Sequence, residues 1–131
     1  MASAREIQVA LPGGRRIDAR VGEYLIHTDQ PKDKGGGGSA PSPFDLFLAS
    51  LGTCAGIFVQ GFCAQREIPF ENIRIAEKAE FDDEGVLSRV DLKLELPEGF
   101  PEKYRGALLK VVEQCSVKRA IAAQPKFDVH F

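Results

Sequence analysis

The sequence has 131 residues, 44% of them hydrophobic and 27% charged, with a net charge of −2. That length suits a single domain over residues 1–131 able to bury about two-thirds of its unfolded surface, and the composition is too apolar for an intrinsically disordered chain. Three cysteines are too few, and odd in number, for a secreted disulfide scaffold, while a mildly acidic chain without a basic run offers no footprint for nucleic acid. Met1-Ala2-Ser3-Ala4-Arg5 runs into polar alternation, unlike the start of a signal peptide, so the expected setting is cytoplasmic with reduced thiols.

In chain order, Arg5 to Leu11 places Ile7, Val9 and Leu11 on one face and reads as a strand. Pro12-Gly13-Gly14 turns, Arg16 to Val21 alternates again, and Tyr24 to Thr28 is a third strand after Gly22-Glu23. Together they make an antiparallel meander. Residues 30–43 form a native loop containing Gly35 to Gly38. Ser42-Pro43-Phe44-Asp45 then carries helix-start chemistry: Ser at the N-cap, Pro at the first helical position, and an acid three after the cap. From Leu46 to Ala64 there are 19 residues without a charge. Such a helix is either buried on all sides or set in a membrane. Ser50, Thr53, Gln60 and three glycines dilute it, and strands lie on both sides, so a central core helix is expected rather than a membrane span.

Arg66-Glu67-Ile68-Pro69 ends the helix. A strand from Glu71 to Asp82, a turn at Asp83-Glu84-Gly85 and a strand from Val86 to Leu96 make a hairpin, with Val90, Leu92, Leu94 and Leu96 facing inward. A second helix follows Pro101 and presents Tyr104, Leu108, Val111, Val112 and Cys115, and the segment from Cys115 to Ile121 continues it or opens another turn. Phe127 to Phe131 reads as a closing strand. The order βββ-α-ββ-α-β defines an α+β domain.

Only the cysteines offer reactive chemistry in this pattern. Cys54 and Cys63 are nine residues apart, about 13.5 Å and half a rotation along one helix, so they cannot pair with each other. Either could pair with Cys115, which has Lys118 and Arg119 close behind and stands near a helix start, where a thiolate is favoured. No two of Cys54, Cys63, Cys115, His27 and His130 share a metal-ligand spacing. Nucleophile-elbow, phosphate-loop and dinucleotide motifs are absent too, so no cofactor and no metal are expected.

The segment from Ser39 to Ala55 (SAPSPFDLFLASLGTCA) resembles the first cysteine motif of the OsmC/Ohr family, the osmotically inducible and organic-hydroperoxide-resistance proteins. Glu113-Gln114-Cys115-Ser116-Val117 resembles its second, and the element order agrees along the chain. The resemblance implies an intertwined homodimer with antiparallel sheets wrapped around two central helices. It also implies a thiol peroxidase in oxidative-stress defence, with Cys54 as peroxidatic thiolate, Cys115 as resolving thiol and an external dithiol as reductant. Its substrate would be a hydroperoxide or another apolar small molecule, in a pocket including Phe47 and Phe58; neither nucleic acid nor membrane would be a partner. One departure stands out. Peroxidase members carry a glutamate ten residues before the first cysteine, paired with an N-terminal arginine, and Phe44 occupies that position here. Asp45, one residue on, is accounted for by helix capping, and Arg15, Arg16 and Arg20 are equivalent candidates for the arginine. The alternative is therefore a non-catalytic OsmC-like protein that binds an apolar molecule or senses redox state.

Overall fold

The computed structural model describes residues 3–131, so the first two residues of the Met1–Arg5 opening lie outside it. Three strands come first: β1 (Ile7–Gly13), β2 (Arg16–Val21) and β3 (Tyr24–Thr28), an antiparallel sheet in the order β1-β2-β3. Helix α1 spans Pro43–Gln65. The hairpin of β4 (Arg74–Phe81) and β5 (Leu87–Glu95) follows, then α2 (Arg105–Val112) and α3 (Ser116–Ala122). The fold is α+β, with strands, helix and strands in the expected order. The chain divides into two compact units, residues 1–47 and 48–131.

In the first unit the meander is registered by pairs such as Val9↔Ala19 and Ala19↔Ile26. Asp18 faces His27 across β2 and β3, with their side chains 2.9 Å apart. The glycine-rich loop is fastened by the buried Asp29. Its Oδ1 accepts the amide N–H groups of Gln30 and Gly37, and its Oδ2 accepts the amide and hydroxyl of Ser39. Those bonds, led by the Ser39 hydroxyl, hold the Asp29 carboxyl down at about 2. Gly36 is needed there, because a Cβ would collide with the Gln30 carbonyl. The helix start forms as the residues dictate: Asp45 N–H donates to Ser42 Oγ at 3.2 Å, and Ser42 N–H to Asp45 Oδ2 at 3.1 Å.

The core of the second unit gathers Ala55, Val59, Phe62 and Cys63 of α1 against Leu108 and Val112 of α2, with Ile68 and Phe100. Leu92, Leu94, Leu96, Ile73 and Ile75 of the hairpin region close over it. Of the inward row read there, Leu92, Leu94 and Leu96 pack on the core, and Val90 is half-buried opposite Ala79. Pairing Ile75↔Leu94, Glu77↔Leu92 and Ala79↔Val90 sets the two strands' inner faces together.

One expectation is corrected. Residues 125–131 form no strand, and Phe127 and Val129 are 85% and 97% exposed. Their alternation fits a strand, but a strand needs a neighbouring edge to bond, and within this chain the segment pairs with none among the described residues. Within one chain, helix α1 is covered on one side. It is long and apolar enough to cross a membrane, yet only 28% of its apolar stretch is buried. Leu51, Ala55, Val59, Phe62 and Cys63 form the covered face, whereas Thr53, Ile57 and Gln60 are open. A two-stranded hairpin and two short helices cannot wrap a helix of 23 residues.

Candidate functional site

The second unit brings together two of the three cysteines. Cys54, half-buried in the middle of α1, meets the fully buried Cys115, which ends the turn after α2 and caps α3. The chain reaches that point because α2 stops at Val112. Cys115 then takes φ −48° and ψ 129°, an extended conformation that reorients the backbone before α3. The first amides of α3, which have no partner within the helix, are thereby aimed at Cys54.

The donors are specific. The Cys54 sulfur accepts from the Cys115 thiol, from the backbone N–H groups of Val117 and Ser116, and from the Ser116 hydroxyl. These bonds, with the Cys115 thiol first among them, bring the Cys54 pKa below the ordinary thiol value against the opposing effect of burial. All three cysteines are free thiols.

Cys63 lies elsewhere. It is fully buried in the core of the second unit, and burial raises its pKa, only partly offset by the charge of Arg66. Of the two pairings open to Cys115, the structure assembles the one with Cys54. The helix start expected beside Cys115 is present, but its amides serve Cys54, and the donors are thiol, backbone and hydroxyl groups rather than Lys118 or Arg119. Arg15, Arg16 and Arg20 all lie exposed in the first unit, and none forms an ion pair among the described residues. Phe44 is 44% exposed and packs its ring against Phe47 at 5.4 Å. Of the two phenylalanines expected in a pocket, Phe58 lines a cavity of about 330 Å³ and Phe47 does not.

Two contributions escaped the sequence reading. Ser116 was one: its hydroxyl matters only because α3 folds back on α1. Glu77 was the other, and it did leave a signal, since it interrupts the inward row Ile73, Ile75, Ala79 that leads into and along β4. Its Oε2 is enclosed without a hydrogen-bond partner, and its Oε1 lies where a Cβ on Gly52 would come within 2.6 Å. A side chain at Gly52 would therefore push the Glu77 carboxyl from its present place. Burial raises the Glu77 pKa, with the Gly52 backbone opposing. An acid whose pKa is higher folded than unfolded binds its proton more tightly in the native state. The protein is then most stable below about pH 4.5 with respect to this group, and loses that stability as pH rises through the folded value. Glu77→Gln, neutral throughout, is expected to flatten this fall in urea unfolding measured between pH 4.5 and 8. An identical pH profile in the variant would show that Glu77 does not control it.

An α+β chain that sets one helix cysteine against a second cysteine at a helix start belongs to a definable class of two-thiol proteins. Residues 36–130 match the family of OsmC-like proteins, and the chain belongs to that family. Among curated proteins no sequence matches it significantly. Solved structures share its fold. A Psychrobacter arcticus 273-4 protein assigned to the osmotic-stress and detoxification response is 22% identical, covers 92% of this chain and 90% of its own, and has a TM-score of 0.77. An OsmC-like protein from Mycoplasma pneumoniae is 14% identical, with 95% and 91% covered and a TM-score of 0.75. An organic hydroperoxide resistance protein from Elizabethkingia anophelis is 20% identical, with 95% and 93% covered and a TM-score of 0.65.

Proposed function

We propose that this chain is a cysteine-dependent reductase of organic hydroperoxides that works as a homodimer in the cytoplasm. The observation that carries the reading is the Cys54 sulfur held against Cys115 under the amides of Ser116 and Val117. That arrangement stabilises a thiolate and keeps a second thiol within bonding reach. Membership of a family with neighbours named for hydroperoxide resistance supports it.

The chemistry balances with thiols alone. The Cys54 thiolate attacks the outer oxygen of the hydroperoxide, and its electron pair breaks the O–O bond. The alkoxide leaves and takes a proton to become the alcohol, and Cys54 is left as a sulfenic acid. Cys115 then attacks the Cys54 sulfur, water departs, and a disulfide joins the two. An external dithiol returns both thiols by exchange and is itself oxidised. Because Cys115 already contacts Cys54, the second step needs only a local adjustment.

Phe44, at the position of the family's peroxidase glutamate, favours a second reading: an OsmC-like protein that binds an apolar molecule without turning it over. Cumene hydroperoxide consumption with excess dithiol separates the two. Wild type is expected to turn over, Cys54→Ser to fall to the uncatalysed rate, and Cys115→Ser to accumulate sulfenic acid that a dimedone probe traps. An inactive wild type would leave the binding reading, and an active Cys54→Ser would remove the assignment of Cys54.

A further inference from the structure

A cavity of about 250 Å³ opens within the first unit, away from both reactive cysteines, and is lined by Arg16, His27, Thr28, Ser39 and Ala40. The strand register explains why its two basic side chains meet. Asp18 pairs with His27, so Arg16, two residues before Asp18 on β2, stands on the same face as both. Arg16 and His27 are then diagonal neighbours, about 7–8 Å apart, within reach of one small group held between two long side chains. The opposite wall is the end of the glycine-rich loop, fastened at Ser39 by the buried Asp29.

The hydrogen bonds decide which donors a ligand would find there. The Thr28 hydroxyl donates to the Ile17 carbonyl at 2.6 Å, and the Ser39 hydroxyl donates to Asp29 at 2.6 Å. The amides of Gly35 to Gly38 are spent too, on the carbonyls of Lys32, Pro31 and Gln30 and on the Asp29 carboxylate. The loop is therefore a fixed wall, and its amides make no phosphate cradle. Arg16 forms no ion pair among the described residues and keeps its guanidinium donors. His27 Nδ1 lies 2.9 Å from Asp18 Oδ1. An ionised carboxylate only accepts, so Nδ1 carries the hydrogen and Nε2 is left for the cavity. No carboxylate lines the cavity, and Asp29 behind its wall is engaged by four donors.

We propose that this cavity binds a phosphate group between Arg16 and His27, as the free ion or as the head of a small phosphate monoester. The planar fork of Arg16 matches two phosphate oxygens. Imidazoles and phosphate monoesters ordinarily titrate in the same range, about 6 to 6.5, so one proton serves the bond at Nε2 whichever partner brings it. Carboxylates carry no such proton near neutral pH, which is why phosphate is the class selected.

Proton–nitrogen correlation spectra of the imidazoles report on the site itself. In the full chain at neutral pH, inorganic phosphate is expected to shift the His27 Nε2 resonance saturably, with His130 unmoved as the internal reference. Glycerol 3-phosphate separates the two sources: tighter binding than inorganic phosphate assigns a monoester head, and equal or weaker binding assigns the free ion. Arg16→Gln should weaken phosphate about tenfold or more, and Arg16→Lys should restore part of the loss. Arg15→Gln makes the same charge change one residue away and outside the cavity lining, and should leave the affinity as it is. Thermal melting of each variant guards against misfolding. An unshifted His27, equal shifts of His27 and His130, or wild-type affinity in Arg16→Gln would overturn the site. Sulfate bound as tightly as phosphate would overturn the assignment to phosphate, because sulfate brings no proton to share.

Discussion

Ser116→Pro is expected to slow alkylation of Cys54 by iodoacetamide at neutral pH by about tenfold, and Ser116→Ala by a smaller factor. Ser116 supplies two donors to the Cys54 sulfur, its amide and its hydroxyl. Alanine removes the hydroxyl only, whereas proline removes both. A hydrogen bond to a charged group contributes up to about 1.5–3 kcal/mol. Although the Cys115 thiol and the Val117 amide remain as the larger donors, losing both Ser116 donors lowers the thiolate population. The remaining thiolate is more basic and intrinsically more nucleophilic, which restores about half of the loss on a logarithmic scale. Proline is also the change the backbone tolerates best. Ser116 is the first residue of α3, where the fixed φ of proline fits, and Cys115 before it already has the extended conformation that a following proline requires. A damaged fold is thus separable from a lost donor. The readout is the midpoint of the alkylation rate against pH, which should move upward from wild type through Ser116→Ala to Ser116→Pro. An unmoved midpoint in the proline variant would mean that these donors do not set the reactivity of Cys54.

The same site shows what a sequence makes legible and where legibility stops. Short-range chemistry was readable. The Ser42–Asp45 capping pair follows from two residues three apart, and it forms with both reciprocal bonds. The β4–β5 hairpin follows from strict alternation around Asp83-Glu84-Gly85, where Asp82 Oδ1 accepts the amides of Glu84 and Val86. The partnership of Cys115 was narrowed to two candidates by helical geometry and settled by packing alone. Ser116 could not be singled out, since a serine after a cysteine acquires meaning only when α3 is folded against α1. Glu77 could have been, because a carboxylate in a row otherwise made of Ile73, Ile75 and Ala79 contradicts the period-two pattern. The closing strand at Phe127–Phe131 was misjudged for the opposite reason. Alternation records which face a segment prefers and says nothing about whether an edge is available to receive it.

The surfaces that remain open lead to the last expected result, that the chain sediments as a dimer. Three features in separate parts of the molecule have apolar faces without cover. On β1, Ile7, Val9 and Leu11 are 54%, 60% and 76% exposed along one side of the strand. On α1, Ile57 is 65% exposed beside the small, open side chains of Ala49 and Thr53, and the space at Gly56 is empty out to 4 Å. Beyond α3, Phe127 and Val129 are open. Small side chains along a helix suit close approach by a second helix, and a closed two-fold pair covers the same patch on both copies. Thr53→Glu and Val9→Asp, combined, should therefore shift the chain to monomer. Each buries an unpaired charge on both sides of the interface, at about 3–5 kcal/mol apiece, which raises the dimer Kd by a thousandfold or more. Lys93→Glu, on the outward face of β5, is the matched control and should leave the dimer intact. Sedimentation velocity across a hundredfold range of concentration reads the outcome. A monomeric wild type, or a double variant that sediments as wild type does, would leave those faces to another partner.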